Sequence, residues 1–224
     1  MLPPLTKSAE ETRIAFQDYQ GTATTVHLYS DNAPELIKAA KELKWTHSFS
    51  IPGKPQSNAI AERCVRHCLE GCRTLLDQAG LPPSLWVKAV QYWCMMINTQ
   101  PKEGVTPYEV KNPYGHKWDA LRVPFGCQVE FMPSKTVGES TEKFDPVAIT
   151  GIFLGYVMNP GGVWAKAYEV VSCASLRDDE GRHDRWRNLR IHKTDKISIK
   201  GVPANGTPND STVFVFPAKE DYEK

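Results

Sequence analysis

Apolar residues change period several times along the first hundred positions, and each change marks an element. Residues 7–20, KSAEETRIAFQDYQ, set Ile14, Ala15 and Tyr19 on a modest apolar face behind Ser8 and Glu11. A serine followed by an acid three residues on predicts a helix opened by a capping box, and Gly21 closes it. The β-branched and aromatic run TTVHLYS at 24–30 predicts a strand that ends at Asp31. Pro34 opens PELIKAAKELK, where Leu36, Ile37, Ala40 and Leu43 recur at helical spacing. WTHSFSI at 45–51 reads as a second short strand, and PGKPQSN after it as an exposed, mobile loop.

From Asn58 to Gln78 the spacing predicts a long helix with Ala61, Val65, Cys68, Cys72 and Leu75 inward and Arg63, Arg66, Glu70, Arg73 and Asp77 mostly outward. Asn58, Glu62 and Arg66 then share one edge. Gly80, Pro82 and Pro83 stop it, and residues 84–99 form a further helix whose Trp86, Val90, Trp93, Met96 and Ile97 read as core. Near residue 100 the pattern turns strand-like. TPYEVKNPYG is a short helix or turn, and CQVEFMP, AITGIFLGYVM, VWAKAYEVVS and STVFVFP are strand candidates divided by Gly and Pro. Phe153, Leu154, Tyr156, Trp164 and Tyr168 are expected to form the core of this β-rich half. Region 176–210, with Arg177, Arg182, Arg185, Arg187 and Arg190 against Asp178, Asp179, Glu180 and Asp184, reads as a solvated loop.

The 224 residues leave room for two domains, expected at 1–115 and 116–224. Hydrophobic content of 41% and charged content of 24% exclude disorder throughout. With 27 basic and 26 acidic residues the net charge is +1, so any nucleic-acid surface must be a local patch. MLPPLTKSAEETR lacks a signal-peptide core, and Lys88 and Gln91 interrupt LWVKAVQYWCMMIN, so the expectation is a soluble intracellular chain with no membrane partner. Six cysteines read as reduced thiols. Cys64, Cys68 and Cys72, four apart with His67 beside them, invite a zinc reading, but structural zinc usually draws ligands from two separate segments, and small buried thiols are the better account.

Asp31 at a strand end and Glu62 in the first turn of a helix are the candidate chemistry. Two acids so placed can share a hard divalent cation, which prefers oxygen ligands. The plainer reading makes Asp31 a turn residue before Pro34 and Glu62 an exposed helix acid.

Several segments, in order, resemble the integrase region of copia-type long-terminal-repeat retrotransposon Pol polyproteins. SDNAPE is similar to that family's S-D-N-G-x-E turn, PGKPQSNAIAER to its P-x-x-P-Q-x-N-G-x-A-E-R, and GLPPSLWVKAVQYWCMMINTQP to its L-P-x-x-x-W helix ending N-x-x-P. TPYEV, LRVPFGCQVEFMP and KFDPVAITGIFLGYV resemble its T-P-Y-E, L-R-V-F-G-C and K-L-D-P-x-x-x-x-G-I-F-L-G-Y segments. The resemblance implies an α/β fold: a partial ribonuclease-H-like integrase core, with an incomplete sheet and flanking helices, then a small β-rich, barrel-like module. It also implies DNA binding and integration by metal-dependent polynucleotidyl transfer. Asp31 and Glu62 would serve as catalytic metal ligands for Mg2+ or Mn2+, two ions roughly 4 Å apart clamping an in-line displacement. DNA would meet Lys54 and Arg66 through phosphates and Gln56, Ser57 and Asn58 through hydrogen bonds. The implied partners are DNA and further copies of the chain, and the implied place of action is the nucleus.

The family places another Asp on an earlier strand, whereas Glu10, Glu11 and Asp18 here fall on the predicted first helix. The expectation is therefore an N-terminally truncated core with little or no strand transfer by itself, an incomplete member of a polynucleotidyl transferase lineage. The rival expectation is a retroelement relic that binds nucleic acid or protein without catalysis. Ala33 and Ala59 stand where the family has glycines, and Pro124 is inserted in LRVPFG.

Overall fold

The computed structural model describes residues 8–24, 27–112, 117–133, 148–174, 189–200, 202, 208–209 and 212–220. The chain forms two compact units: Met1–Leu69 with Met158–Val163, and Glu70–Val157 with Trp164–Lys224.

In the first unit α1 (Ala9–Gln20) begins as its sequence requires. The Ser8 hydroxyl accepts the Glu11 backbone N–H at 3.1 Å and donates to the Glu11 carboxylate at 3.3 Å. Gly21, at φ 59°, donates its N–H to the Gln17 carbonyl and ends the helix. A Cβ there would lie 2.5 Å from the Gly161 Cα, so the turn Pro160–Gly162 rests on bare backbone. β1 (His27–Ser30) and β2 (Thr46–Phe49) pair in parallel, His27 opposite Thr46 and Ser30 opposite Phe49. The crossover between them is α2 (Pro34–Glu42), opened by proline at its first position. Ala39, Ala40 and Trp45 are buried, and Trp45 stacks on Phe16 of α1 with ring centroids 5.1 Å apart.

α3 (Ala59–Ala79) is continuous, yet its buried residues are Gly71, Cys72, Leu76 and Ala79, all in its second half. The inward face expected through Ala61 and Val65 is exposed; only Cys72 of the expected set is buried, with Cys68 and Leu75 half-buried. α4 (Trp86–Thr99) departs differently, turning another face inward than the one expected. Ala89, Tyr92, Met95 and Thr99 are buried, whereas Trp86 is exposed and Val90, Trp93, Met96 and Ile97 are half-buried. Two specific contacts account for the rotation. Tyr92 donates its hydroxyl to the Val123 carbonyl at 2.8 Å, and the Trp93 indole lies against α3 at Gly71, where no side chain intervenes.

These helices share one apolar core with β3 (Gln128–Phe131), β4 (Ile149–Asn159) and β5 (Val163–Ser172). With β6 (Ile191–Thr194) and β7 (Ile197–Ser198) the strands form an open sheet in the order β6-β5-β4-β3-β7. The pairs β3–β4, β3–β7 and β5–β6 are antiparallel. The expected barrel-like module is thus, among the described residues, an open sheet. Helix side chains supply the apolar partner that barrel closure would otherwise provide. Phe153, Leu154, Tyr156 and Tyr168 are buried as expected, with Trp164 half-buried beside them. Lys88 of α4 bonds Glu169 of β5 at 2.6 Å with both side chains largely covered, fixing helix to sheet.

Two expectations change in this half. Region 176–210, read as a solvated loop, contains β6 and β7; its Arg177, Arg182, Arg185, Arg187, Asp178, Asp179, Glu180 and Asp184 lie outside the described residues. In β6 the inward positions are held by His192 and Thr194, so the strand's alternation is hidden in polar letters. STVFVFP is not a strand in its described part. It meets β3 through the Gln128 N–H bond to Val215 and sets Phe214 and Phe216 against the core before α6 (Pro217–Glu220).

α5 (Pro107–Lys111) gives TPYE a physical meaning. Thr106 is the N-cap, Pro107 follows, and Glu109 closes a full capping box. The Thr106 backbone N–H, and secondarily its hydroxyl, hold the Glu109 carboxyl below the usual carboxylate range. Such a group stabilises the fold above its unfolded pKa and loses that contribution as pH falls through its folded value. Thr106→Ala, which keeps the backbone donor and removes the hydroxyl, should move the Glu109 titration midpoint part-way up, as read by carboxyl NMR. Gly71→Ala should destabilise the protein by about 1–3 kcal/mol in denaturant unfolding, because overpacking against Trp93 outweighs the helix propensity gained.

Candidate metal and nucleic-acid site

Parallel pairing sets the carboxyl ends of β1 and β2 side by side, and the Ser50 N–H extends the ladder by donating to the Ser30 carbonyl at 2.8 Å. Asp31 and the segment from Ile51 onward therefore leave the same edge of the strand pair, the edge where open α/β sheets place ligands. Asp31 is exposed just ahead of α2. The second exit turns at Pro52 and Gly53, tied by the Lys54 N–H to the Ile51 carbonyl, and runs as a 3₁₀ turn over Pro55–Asn58 into α3. Asn58 thus precedes the α-helix instead of continuing the edge of Glu62 and Arg66.

Glu62 falls in the first turn of α3 and is exposed, where the helix N-terminus favours negative charge. Lys54, Gln56 and Arg66 are exposed and Asn58 is half-buried; the Ser57 side chain lies outside what the structure describes. Asp31 and Glu62 belong to the same compact unit. Their carboxylate oxygens suit a hard cation in type. Among the described residues, however, no three His, Cys, Asp or Glu side chains gather as metal ligands, so this set does not close a metal site. Cys64, Cys68, Cys72 and His67 form no such group either; Cys72 is a buried thiol and Cys64 an exposed one.

Sequence reasoning missed two histidines. Ser30 Oγ lies 2.8 Å from His47 Nε2, and His27 Nε2 lies 2.8 Å from Ser48 Oγ. In the parallel register these two pairs fall on opposite faces of the strand pair. His47 also rests its ring on Phe49, centroids 4.3 Å apart. Strand alternation alone would have given each residue a face; the pairing that joins the faces is tertiary. A further departure is the run of exposed apolar side chains in this unit: Ile51, Ile60 (82% exposed), Val65 and Leu69.

No protein-family model matches the chain. Part of it is similar to retrovirus-related Pol polyproteins of plant transposons. That of transposon TNT 1-94 from Nicotiana tabacum is 36% identical over 113 residues, 49% of this chain and 8% of the relative. Those of transposons RE2 and RE1 from Arabidopsis thaliana are 32% identical over 127 residues and 31% over 105, covering 54% and 44% of this chain and 8% and 7% of the relatives. The chain spans less than a tenth of the length of the curated relatives it matches. The resemblance drawn from the motifs to copia-type retrotransposon Pol polyproteins is borne out. Among the described residues no helix is long and apolar enough to cross a membrane.

The position of the buried face on α3 is directly testable. Leu76→Ala should cost about 2–5 kcal/mol, as expected of a core truncation, whereas Val65→Lys should stay within about 0.5 kcal/mol of the parent in the same denaturant titration.

Proposed function

We propose that the chain is a retroelement-derived, integrase-type segment that binds DNA, and that its carboxylates serve metal-dependent polynucleotidyl transfer only within a larger Pol protein. The observation that supports this most is the exit of Asp31 and of the loop leading to Glu62 from one edge of a parallel strand pair, in a chain similar to Pol polyproteins. Lys54 and Arg66 would neutralise phosphates, while Gln56, Ser57 and Asn58 would offer hydrogen bonds to the backbone. Asp31 and Glu62 would be two ligands of a Mg2+ or Mn2+ site that needs further ligands, and such ions would neutralise charge on the reacting phosphoryl oxygens. A DNA target sets the work in the nucleus, with multimers of the chain as partners. A second reading, a protein-interaction module without catalysis, draws on the exposed Ile51, Ile60, Val65 and Leu69.

Duplex DNA binding measured across a salt series separates the two. On the first reading log K falls linearly with log salt, and Lys54→Glu and Arg66→Glu each remove about one unit of slope. An unchanged slope in both variants removes those residues from the contact set and favours the protein-interaction reading. The protein alone, supplied with Mn2+ and DNA ends, should join none; joining abolished by Asp31→Asn would overturn the dependence on a larger protein.

A further inference from the structure

We infer that His47 is a positioning residue for the Asp31 turn, acting through the Ser30 hydroxyl; its functional weight rests on the reading of Asp31 as a carboxylate facing a cation. Ser30 has one hydroxyl proton, and it is directed at the Asp31 backbone carbonyl 2.8 Å away. The same oxygen lies 2.8 Å from His47 Nε2. With its proton already committed, Ser30 can only accept from the imidazole, so Nε2 carries the hydrogen and Nδ1 the lone pair. Nδ1 is buried with no hydrogen-bond partner among the described residues. A proton there would be an unsatisfied buried donor, which opposes the other tautomer.

The chain of donors therefore has one direction: His47 Nε2–H to Ser30 Oγ, then Ser30 O–H to the Asp31 carbonyl. Its ends are fixed independently. Phe49 holds the ring from one side, and the β1–β2 ladder, extended by the Ser50 N–H on the Ser30 carbonyl, holds the serine backbone. The consequence falls on Asp31, an exposed residue past the strand end. A turn whose carbonyl is held by a side chain of its own strand, itself oriented from the neighbouring strand, presents its carboxylate in a restricted range of directions. His27 with Ser48 makes a bond of equal length on the other face, but among the described residues no onward hydrogen bond from that pair reaches Asp31.

The test is NMR of the full 224-residue protein. Long-range 1H–15N spectra of the imidazoles should show His47 as the Nε2–H tautomer, a measurement that needs no substitution. The Asp31 13C′ resonance should shift in Ser30→Ala, shift in the same direction in His47→Ala, and return to its parent position in His47→Gln, whose amide keeps a donor near the Nε2 position. An Nδ1–H tautomer, or an Asp31 carbonyl resonance unmoved in both alanine variants, would overturn the proposal. MnCl2 added to the parent protein reads the metal role separately: broadening confined to Asp31 and Glu62 supports it, and tautomer and carbonyl shift alone decide the role of His47.

Discussion

Everything the first unit can present to a ligand depends on the parallel register of two four-residue strands. Because Ser30 stands opposite Phe49, both chains leave the pair at one edge, one into the turn of Asp31 and the other into the loop that ends in α3. A slip of one residue would exchange the faces of a strand and break both histidine–serine bonds. Apolar burial does little to prevent that slip, since the large apolar side chains Tyr29 and Phe49 are substantially exposed. The register is written in polar side chains, with cross-strand pairs each contributing about 0.2–1 kcal/mol.

α3 obeys two sets of demands along one axis. Its second half gives Gly71 to the Trp93 ring and Cys72, Leu76 and Ala79 to the core of the second unit. Its first half has Ile60, Val65 and Leu69 in solvent beside Glu62 and Arg66. A helix buried along its whole length would hide the acid and base that make it of interest. With its second half anchored in the core, the helix leaves its charged first turn accessible.

Much of this was legible in the sequence, and the limits have physical causes. Ser8 with Glu11, Gly21, Pro34 and the Gly80–Pro83 stop fixed helix ends because capping and breaking are local. The strand GIFLGYV was plain because its burial is continuous, and AKAYEVV because its aromatic and β-branched Tyr168, Val170 and Val171 are buried. What failed was the extent of burial along α3, whose first half stays exposed on the expected face, and the phase of α4, which the Tyr92 bond to Val123 and the Trp93 contact at Gly71 decide. β6 was hidden because His192 and Thr194 occupy its buried positions, and the module's open sheet could not be told from a barrel because strand order is a tertiary property. Asp31 and Glu62 were singled out through motif spacing, whereas His47 was not, because its partner lies on another strand.

That last miss bears on what polar pairs accomplish in a small sheet. A serine–histidine bond near solvent exchanges for water at little net gain, of order 1 kcal/mol, and could be lost without unfolding anything. Its value lies in direction. Ser30 holds a single proton, and the imidazole, by donating to the oxygen, leaves that proton only the Asp31 carbonyl to reach. An apolar pair at the same positions would supply more burial energy and no such orientation. Where a carboxylate must stand in a fixed place at the end of a two-stranded edge, the polar pair is the physically sufficient choice, and an alternation pattern read one strand at a time has no means of announcing it.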